Sequence, residues 1–172
     1  MQLFEYIFVH YDEHNSMTKS RPIIDIDMDH CAVDFAKGTT EWRKRHPEEQ
    51  FPHSHLDFWI YLDPMPGFIE AHKRLSEVFD IHFLTAPSIR NNCCWTGKAM
   101  WVQKWFGEDY LKKLTVSSDK WRFSGFALVD DGSDHGQPDY GGEHLHFGHD
   151  ERFLTWEQVA DYLIEKHNES EG

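Results

Sequence analysis

Three carboxylates stand at alternate positions in Asp25-Ile-Asp-Met-Asp29, among and just behind the apolar residues Ile23, Ile24 and Ile26. Carboxylates at the carboxyl end of a buried strand lie where open α/β sheets form their ligand crevices. One Asp carboxylate can attack phosphorus and carry it as an aspartyl-phosphate. A second, kept protonated, can give its proton to the leaving alcohol and later take one from water. A Mg²⁺ ion prefers oxygen ligands in octahedral geometry and keeps several waters, so one or two such carboxylates and a phosphate oxygen suffice for it. Taken alone, the stretch reads equally well as a polar strand end running into a turn.

The rest of the chain adds partners for it. Thr85 closes the apolar run Ile81-His-Phe-Leu-Thr85, and Asp130-Asp131 closes Phe126-Ala-Leu-Val-Asp130. Lys120 precedes that last run, and Lys98 sits near the start of a helical pattern that follows Thr85. If these runs are parallel strands, their carboxyl ends open on one side and converge on one crevice. A lysine and a threonine hydroxyl would then hold phosphate oxygens as charge redistributes during transfer. The chain carries a net charge of −13, so cations grouped with carboxylates are informative. The same charge repels polyanions and argues against extended DNA or RNA as a partner.

These residues need elements to place them. Residues 33–46 are expected to be helical and to stop at His46-Pro47, because proline disfavours helical geometry in the residue before it. Residues 47–66 are irregular and aromatic, with Phe51, Phe58, Trp59 and Tyr61 punctuated by prolines. Helical spacing returns over 67–79, in Phe68, Ala71, Leu75, Val78 and Phe79, and again from about Thr96 to Phe106, before Gly107. Leu114–Ser117 and Leu145–Phe147 read as further strands. Thr155-Trp-Glu-Gln158 has the spacing of a capping box at the start of a last amphipathic helix. Strands alternating with helices predict an α/β fold, a Rossmann-like parallel sheet flanked by helices.

The 172 residues suit one domain. Residues 1–20 are expected to be an extension or an alternative start, with Met17 opening a natural beginning, and residues 167–172 a frayed tail. No apolar run approaches the roughly 20 residues of a membrane helix, so no membrane partner is expected. Three cysteines, two of them adjacent at Cys93-Cys94, make no disulfide framework; reduced thiols and a cytoplasmic location are the expectation.

The ordered set resembles the haloacid dehalogenase (HAD) superfamily of aspartate-nucleophile phosphatases. More narrowly, Asp27-Met-Asp-His-Cys-Ala-Val-Asp-Phe35 resembles the first motif of the 5′(3′)-deoxyribonucleotidases. The likeness continues through Phe58-Trp59-Ile60, Thr85-Ala-Pro87, Lys98, Trp101-Val102, Gly107, Asp119-Lys120 and Val129-Asp-Asp131, over roughly residues 21–165. It implies Asp27 as nucleophile and Asp29 as acid/base. It implies Mg²⁺ held by Asp27, Asp29 and Asp131, with Asp130 behind it or as an alternative ligand. Thr85 and Lys120 would hold the phosphate, with Lys98 reaching the phosphate region or the sugar. Phe35, Phe58, Trp59 and Ile60 would form the pocket for base and sugar. The HAD-like domain would span 21–166, with core 21–35 and 67–166 and a small helical cap at about 36–66, inserted after the first strand.

Three positions depart from the family pattern. His30 stands where glycine is usual, Ala86 where a second hydroxyl is, and Ser118 where an arginine is found. A register one step earlier, with Asp25 and Asp27 as the pair, is also open, but only the later one keeps Asp34-Phe35 in the family spacing. His135, His144, His146 and His149 do not fit a zinc motif and are read as solvated or hydrogen-bonded. The expectation is a phosphatase of free (deoxy)ribonucleoside monophosphates, with homodimerisation left open. Its rivals are a HAD phosphatase for another small phosphoester and a non-catalytic binder of nucleotide or metal.

Overall fold

A computed structural model describes residues 20–89 and 91–172. Nearly all of the expected N-terminal extension lies outside the described residues. Five strands, β1 (Ile23–Ile26), β2 (Asp80–Thr85), β3 (Leu114–Val116), β4 (Ala127–Asp130) and β5 (Glu143–His146), form one sheet in the order β3-β2-β1-β4-β5. Every neighbouring pair is parallel. The α/β, Rossmann-like reading therefore holds.

Side chains alternate across the sheet. Ile24 and Ile26, Ile81 and Phe83, Ala127 and Val129, and Leu145 share one core. Three helices bury their apolar faces in that core: α3 (Phe68–Ser76) through Phe68 and Leu75, α4 (Cys93–Phe106) through Trp101 and Val102, and α5 (Trp156–Glu171) through Trp156 and Leu163. The opposite face carries a much smaller cluster of Leu84, Leu128 and Tyr140, with Phe123 against it. Phe123 and Tyr140 belong to the two connections, 117–126 and 131–142, that hold only short 3-10 turns. That face is the one on which Asp25 and His82 lie.

Between β1 and α3 the chain forms α1 (Phe35–Arg45), a 3-10 turn (Pro52–Ser54) and α2 (Leu56–Ile60). Asp34 caps α1, its carboxylate accepting from the Lys37 amide at 3.1 Å. The two ends of this excursion are tied: Asp34 N–H donates to Asp63 O at 3.0 Å and Met65 N–H to Ala32 O at 2.8 Å. α2 packs along α4, where Trp101 Nε1 donates to Leu62 O at 3.1 Å.

Among the boundaries that differ from the sequence pattern, two have a visible cause. α4 begins a turn earlier than Thr96, because the Asn91 side-chain oxygen accepts from the Cys93 amide at 3.0 Å and supports the first turn. α5 runs on through residues 167–171, where the His167 ring lies 5.3 Å from Phe79 and 6.0 Å from Phe126 and so anchors the helix end. At its start the capping box forms as expected, with Gln158 N–H on Thr155 Oγ1 and Thr155 N–H on Gln158 Oε1.

Candidate active site

β1 delivers Asp27 to the crevice. Its amide donates to Val129 O of β4 at 2.9 Å, and its carbonyl accepts from Ala32 at 3.2 Å, so the chain doubles back immediately. His30 sits in that reversal with φ +63°, the left-handed region where glycine is at ease and a side chain is strained.

Asp27 is buried, and its Oδ1 accepts from Lys120 Nζ at 2.5 Å. The same ammonium donates to Asp130 Oδ2. Lys120 is 1% exposed, and burial alone would lower its pKa, but Asp27 and Asp130 outweigh that and raise it. The amide of Lys120 is held by His135 O at 2.9 Å. Asp130 is also held through Oδ1, by the Gly132 amide at 2.8 Å and Gln137 Nε2 at 3.2 Å.

A second group lies beside the first. Lys98 Nζ donates to Thr85 Oγ1 at 2.6 Å and pairs with Asp29 Oδ2 at 2.9 Å, beneath the Trp59 ring at 5.5 Å. Both Lys98 and Thr85 are fully buried. The other Asp29 oxygen is buried without a hydrogen-bond partner among the described residues.

Asp131 differs from its neighbour. Among the described residues no cation binds its carboxylate, and the Cys31 thiol approaches only to 4.0 Å. Burial first, and the charge of Asp27 next, push its carboxyl up from the usual range. Carboxylate oxygens of Asp27 and Asp131 lie with Cys31 Sγ within 4.8 Å of one another. Two near-facing carboxylates with too little positive charge are a donor set that fits a hard divalent cation. Both oxygens of Asp130 are bonded, by Lys120, Gly132 and Gln137, whereas one oxygen of Asp29 has no partner among the described residues. The carboxylates whose oxygens come close enough together to share an ion are those of Asp27 and Asp131. Burial, and then the nearby carboxylates, push the Cys31 thiol well up, so it sits there protonated.

These groups line a cavity of about 210 Å³ bounded by Asp27, Asp29, Thr85, Lys120, Asp130 and Asp131, and His30, Asp134, His135 and Gln137 also line it. A second cavity, of about 280 Å³, is lined by Phe35, His53, Trp59, Pro87, Ser88, Cys94 and Lys98. Asp29, Ala86 and His135 line both. A charged chamber and an aromatic one therefore adjoin.

Of the residues expected to form the aromatic pocket, Phe35 and Trp59 do line it. Phe58 stands behind them, edge-on to Phe35 at 5.3 Å and to Trp59 at 6.0 Å. Ile60 is not among the residues lining that cavity; its carbonyl accepts from Lys104 Nζ at 2.6 Å. The reason is helical: four residues from Leu56 to Trp59 make one turn, so only part of it can face the pocket. His53 was not foreseen; its carbonyl accepts from Trp59 Nε1 at 3.1 Å and Asn91 Nδ2 at 2.6 Å, which fixes the pocket wall. Nothing in spacing marks His53, whereas His135 and Gln137 could have been suspected from following Asp130-Asp131 in a crevice loop.

Asp25 lies on the other face. Its Oδ2 accepts from Tyr140 OH at 2.8 Å, and burial raises its pKa against the pull of that bond. It does not line the crevice. Of the distal histidines, His146 Nε2 bonds Asp131 O at 2.9 Å, and its ring stacks on His149 at 4.4 Å.

A parallel α/β sheet whose strand ends carry a buried Asp-Lys-Asp group beside a free carboxylate defines a phosphoryl-transfer class of site. No protein-family model matches the chain. It is similar to a protein assigned as a 5′(3′)-deoxyribonucleotidase from Vibrio phage KVP40, 34% identical over 146 residues, covering 83% of this chain and 85% of the phage protein. The mitochondrial 5′(3′)-deoxyribonucleotidase of Mus musculus is 34% identical over 105 residues, 60% of this chain but 42% of the mouse protein. A protein assigned to the same activity in Bordetella pertussis is 28% identical over 136 residues, 63% of this chain and 73% of its own length. The chain belongs to the 5′(3′)-deoxyribonucleotidase family of phosphoric monoester hydrolases, within the HAD superfamily.

Proposed function

We propose that this chain is a Mg²⁺-dependent phosphatase that hydrolyses deoxyribonucleoside monophosphates through an aspartyl-phosphate on Asp27. The observation that supports it most is the joining of the charged and aromatic chambers at Asp29 and Ala86. A phosphoester with a planar base has one half suited to each.

In this reading an Asp27 oxygen attacks phosphorus while the P–O bond to the sugar breaks, and Asp29 gives the leaving oxygen its proton. Water then attacks the same phosphorus and loses a proton to Asp29, while the bond to Asp27 breaks and restores its carboxylate. Thr85 and Lys98 face the phosphate oxygens from β2 and α4, and Lys120 holds Asp27 in place. Asp27 and Asp131 would hold the Mg²⁺, which supplies positive charge against the carboxylates and the incoming phosphate. A free nucleotide rather than a nucleic acid agrees with the net charge of −13.

The test is phosphate release from a panel of deoxy- and ribonucleoside monophosphates and simple sugar phosphates, with Mg²⁺ and with EDTA. Turnover of deoxynucleotides that requires Mg²⁺ and is lost in Asp27→Asn is expected. Activity confined to sugar phosphates refutes the nucleotide substrate, and none at all favours a binder.

A further inference from the structure

His30 is the one described non-glycine residue with positive φ, and it occupies the turn that aims Asp27 and Asp29. Strain of this kind persists where surroundings demand it and clusters at ligand-binding sites. The fold gives it little in return. The residue is exposed, and its imidazole makes no hydrogen bond among the described residues. Among the described residues its one ring contact is with Phe35, at 5.4 Å.

Its position is informative. His30 lines the charged chamber with Asp27, Thr85 and Lys120, while Phe35 lines the aromatic one. The imidazole thus lies in the charged chamber 5.4 Å from a ring of the aromatic one, on the side where the sugar and ester oxygen of a nucleotide would lie. That chamber is short of free donors. Its carboxylates are Asp27, Asp29, Asp130, Asp131 and Asp134, whereas its one lysine is already bonded to Asp27 and Asp130. An imidazole presents at least one N–H donor in either charge state, and among the described residues no hydrogen bond engages it.

Resting on the nucleotidase reading above, we propose that His30 is a substrate-contacting specificity residue whose imidazole N–H binds the sugar–phosphate junction. It adds selectivity for a sugar-linked phosphate at the expense of a strained turn.

The experiment compares the full chain with His30→Gly and His30→Asn. Both replacements tolerate left-handed backbone, and neither reaches as far into the chamber. Kinetics are measured with deoxythymidine 5′-monophosphate and p-nitrophenyl phosphate, alongside thermal unfolding. KM for the nucleotide is expected to rise about tenfold in both variants, as for loss of one hydrogen bond to a charged group. The rise should exceed both the fall in kcat and the KM change for p-nitrophenyl phosphate. His30→Gly should also melt about 2–4 °C higher as strain is released. A higher melting temperature with unchanged KM overturns the proposal, leaving His30 as a turn residue. If the wild type hydrolyses only another phosphoester, the nucleotide reading fails by itself. The three proteins are then compared on that substrate, and an unchanged KM refutes His30 separately. No hydrolysis of anything overturns both.

Discussion

Replacing Lys120 with methionine keeps the length of the side chain and removes the charge on which two buried carboxylates depend. In the native site the ammonium is 1% exposed and bonds Asp27 Oδ1 at 2.5 Å and also Asp130. Without it, Asp27 and Asp130 face each other in a site that water hardly reaches. Breaking a buried pair by removing one partner costs about 3–5 kcal/mol, equivalent to a fall of about 6–20 °C in melting temperature for a domain of this size. The deficit should depend on pH in a definite direction. Asp130 is raised already by burial and by Asp27, even with Lys120 present, and in the variant it rises further. The folded variant then binds more protons than its unfolded chain, so its stability increases as pH falls through the raised value. The native contribution of Lys120 stays flat there. Its raised pKa gives stability that is complete below the ordinary 10.5 and lost only as pH rises through the folded value. Urea denaturation of both proteins in EDTA, at about pH 7.5 and again at about pH 5, should show a deficit that narrows in acid. Phosphatase activity should fall by about 10²–10³-fold, the usual cost of one preorganised electrostatic contact. An equal deficit at both pH values would mean lost packing rather than exposed charge repulsion. No deficit at neutral pH would refute the buried Asp-Lys-Asp arrangement.

Asp27→Asn should abolish turnover, whereas Asp25→Asn should retain it and cost about 1 kcal/mol, since Tyr140 OH can donate to an amide oxygen too. The opposite pattern in phosphate release would restore the earlier register. Gly97 of α4 lies under Trp59, and a Cβ there would fall 2.2 Å from Trp59 Cδ1. Gly97→Ala should therefore cost about 1–3 kcal/mol by overpacking and raise the nucleotide KM, as read by thermal unfolding and kinetics; an unchanged KM would separate Trp59 from the substrate. His72, buried against Phe68 and Phe106, has its pKa lowered by burial to about 4. The native state thus excludes a proton that the unfolded chain accepts. Stability is full above about 6.5 and falls as pH drops toward 4, by up to about 3 kcal/mol from this group. His72→Phe should flatten that slope in denaturation curves at several pH values, and an unaltered slope would place the acid sensitivity elsewhere.

Much of the fold was legible because local signals agreed with tertiary needs. The apolar run before Asp27, the capping box at Thr155 and the alternation of strands with helices each have a single local cause. Thr85 and Asp130 were legible because a parallel sheet gathers strand ends, so topology alone brings them together. α4 was placed one turn short because its start depends on the Asn91 side chain, a contact with no periodicity. Phe58 and Ile60 were assigned to the pocket with Trp59 because a sequence segment does not reveal which arc of a single helical turn faces inward.

The two acidic pairs show where sequence reasoning ends. Asp25 and Asp27 have the same parity, so period-two alternation puts them on one face and cannot choose between them. The structure separates them because β1 stops at Ile26 and the chain turns at once, leaving Asp25 beneath Tyr140 while Asp27 enters the crevice. Tyr140 arrives from a connection more than 100 residues later, |i−j| being 115. Asp130 and Asp131 are adjacent acids at the same strand end, yet one is saturated by Lys120, Gly132 and Gln137 and the other is paired with no lysine or arginine among the described residues. In each pair the distinction lies in which donors the neighbouring loops bring, from far along the chain for Asp25 and from the two flanking connections for Asp130. The residue types therefore point to the chemistry, while which carboxylate is bonded by a lysine and which is left without one is decided by the loops of the sheet's sparsely covered face.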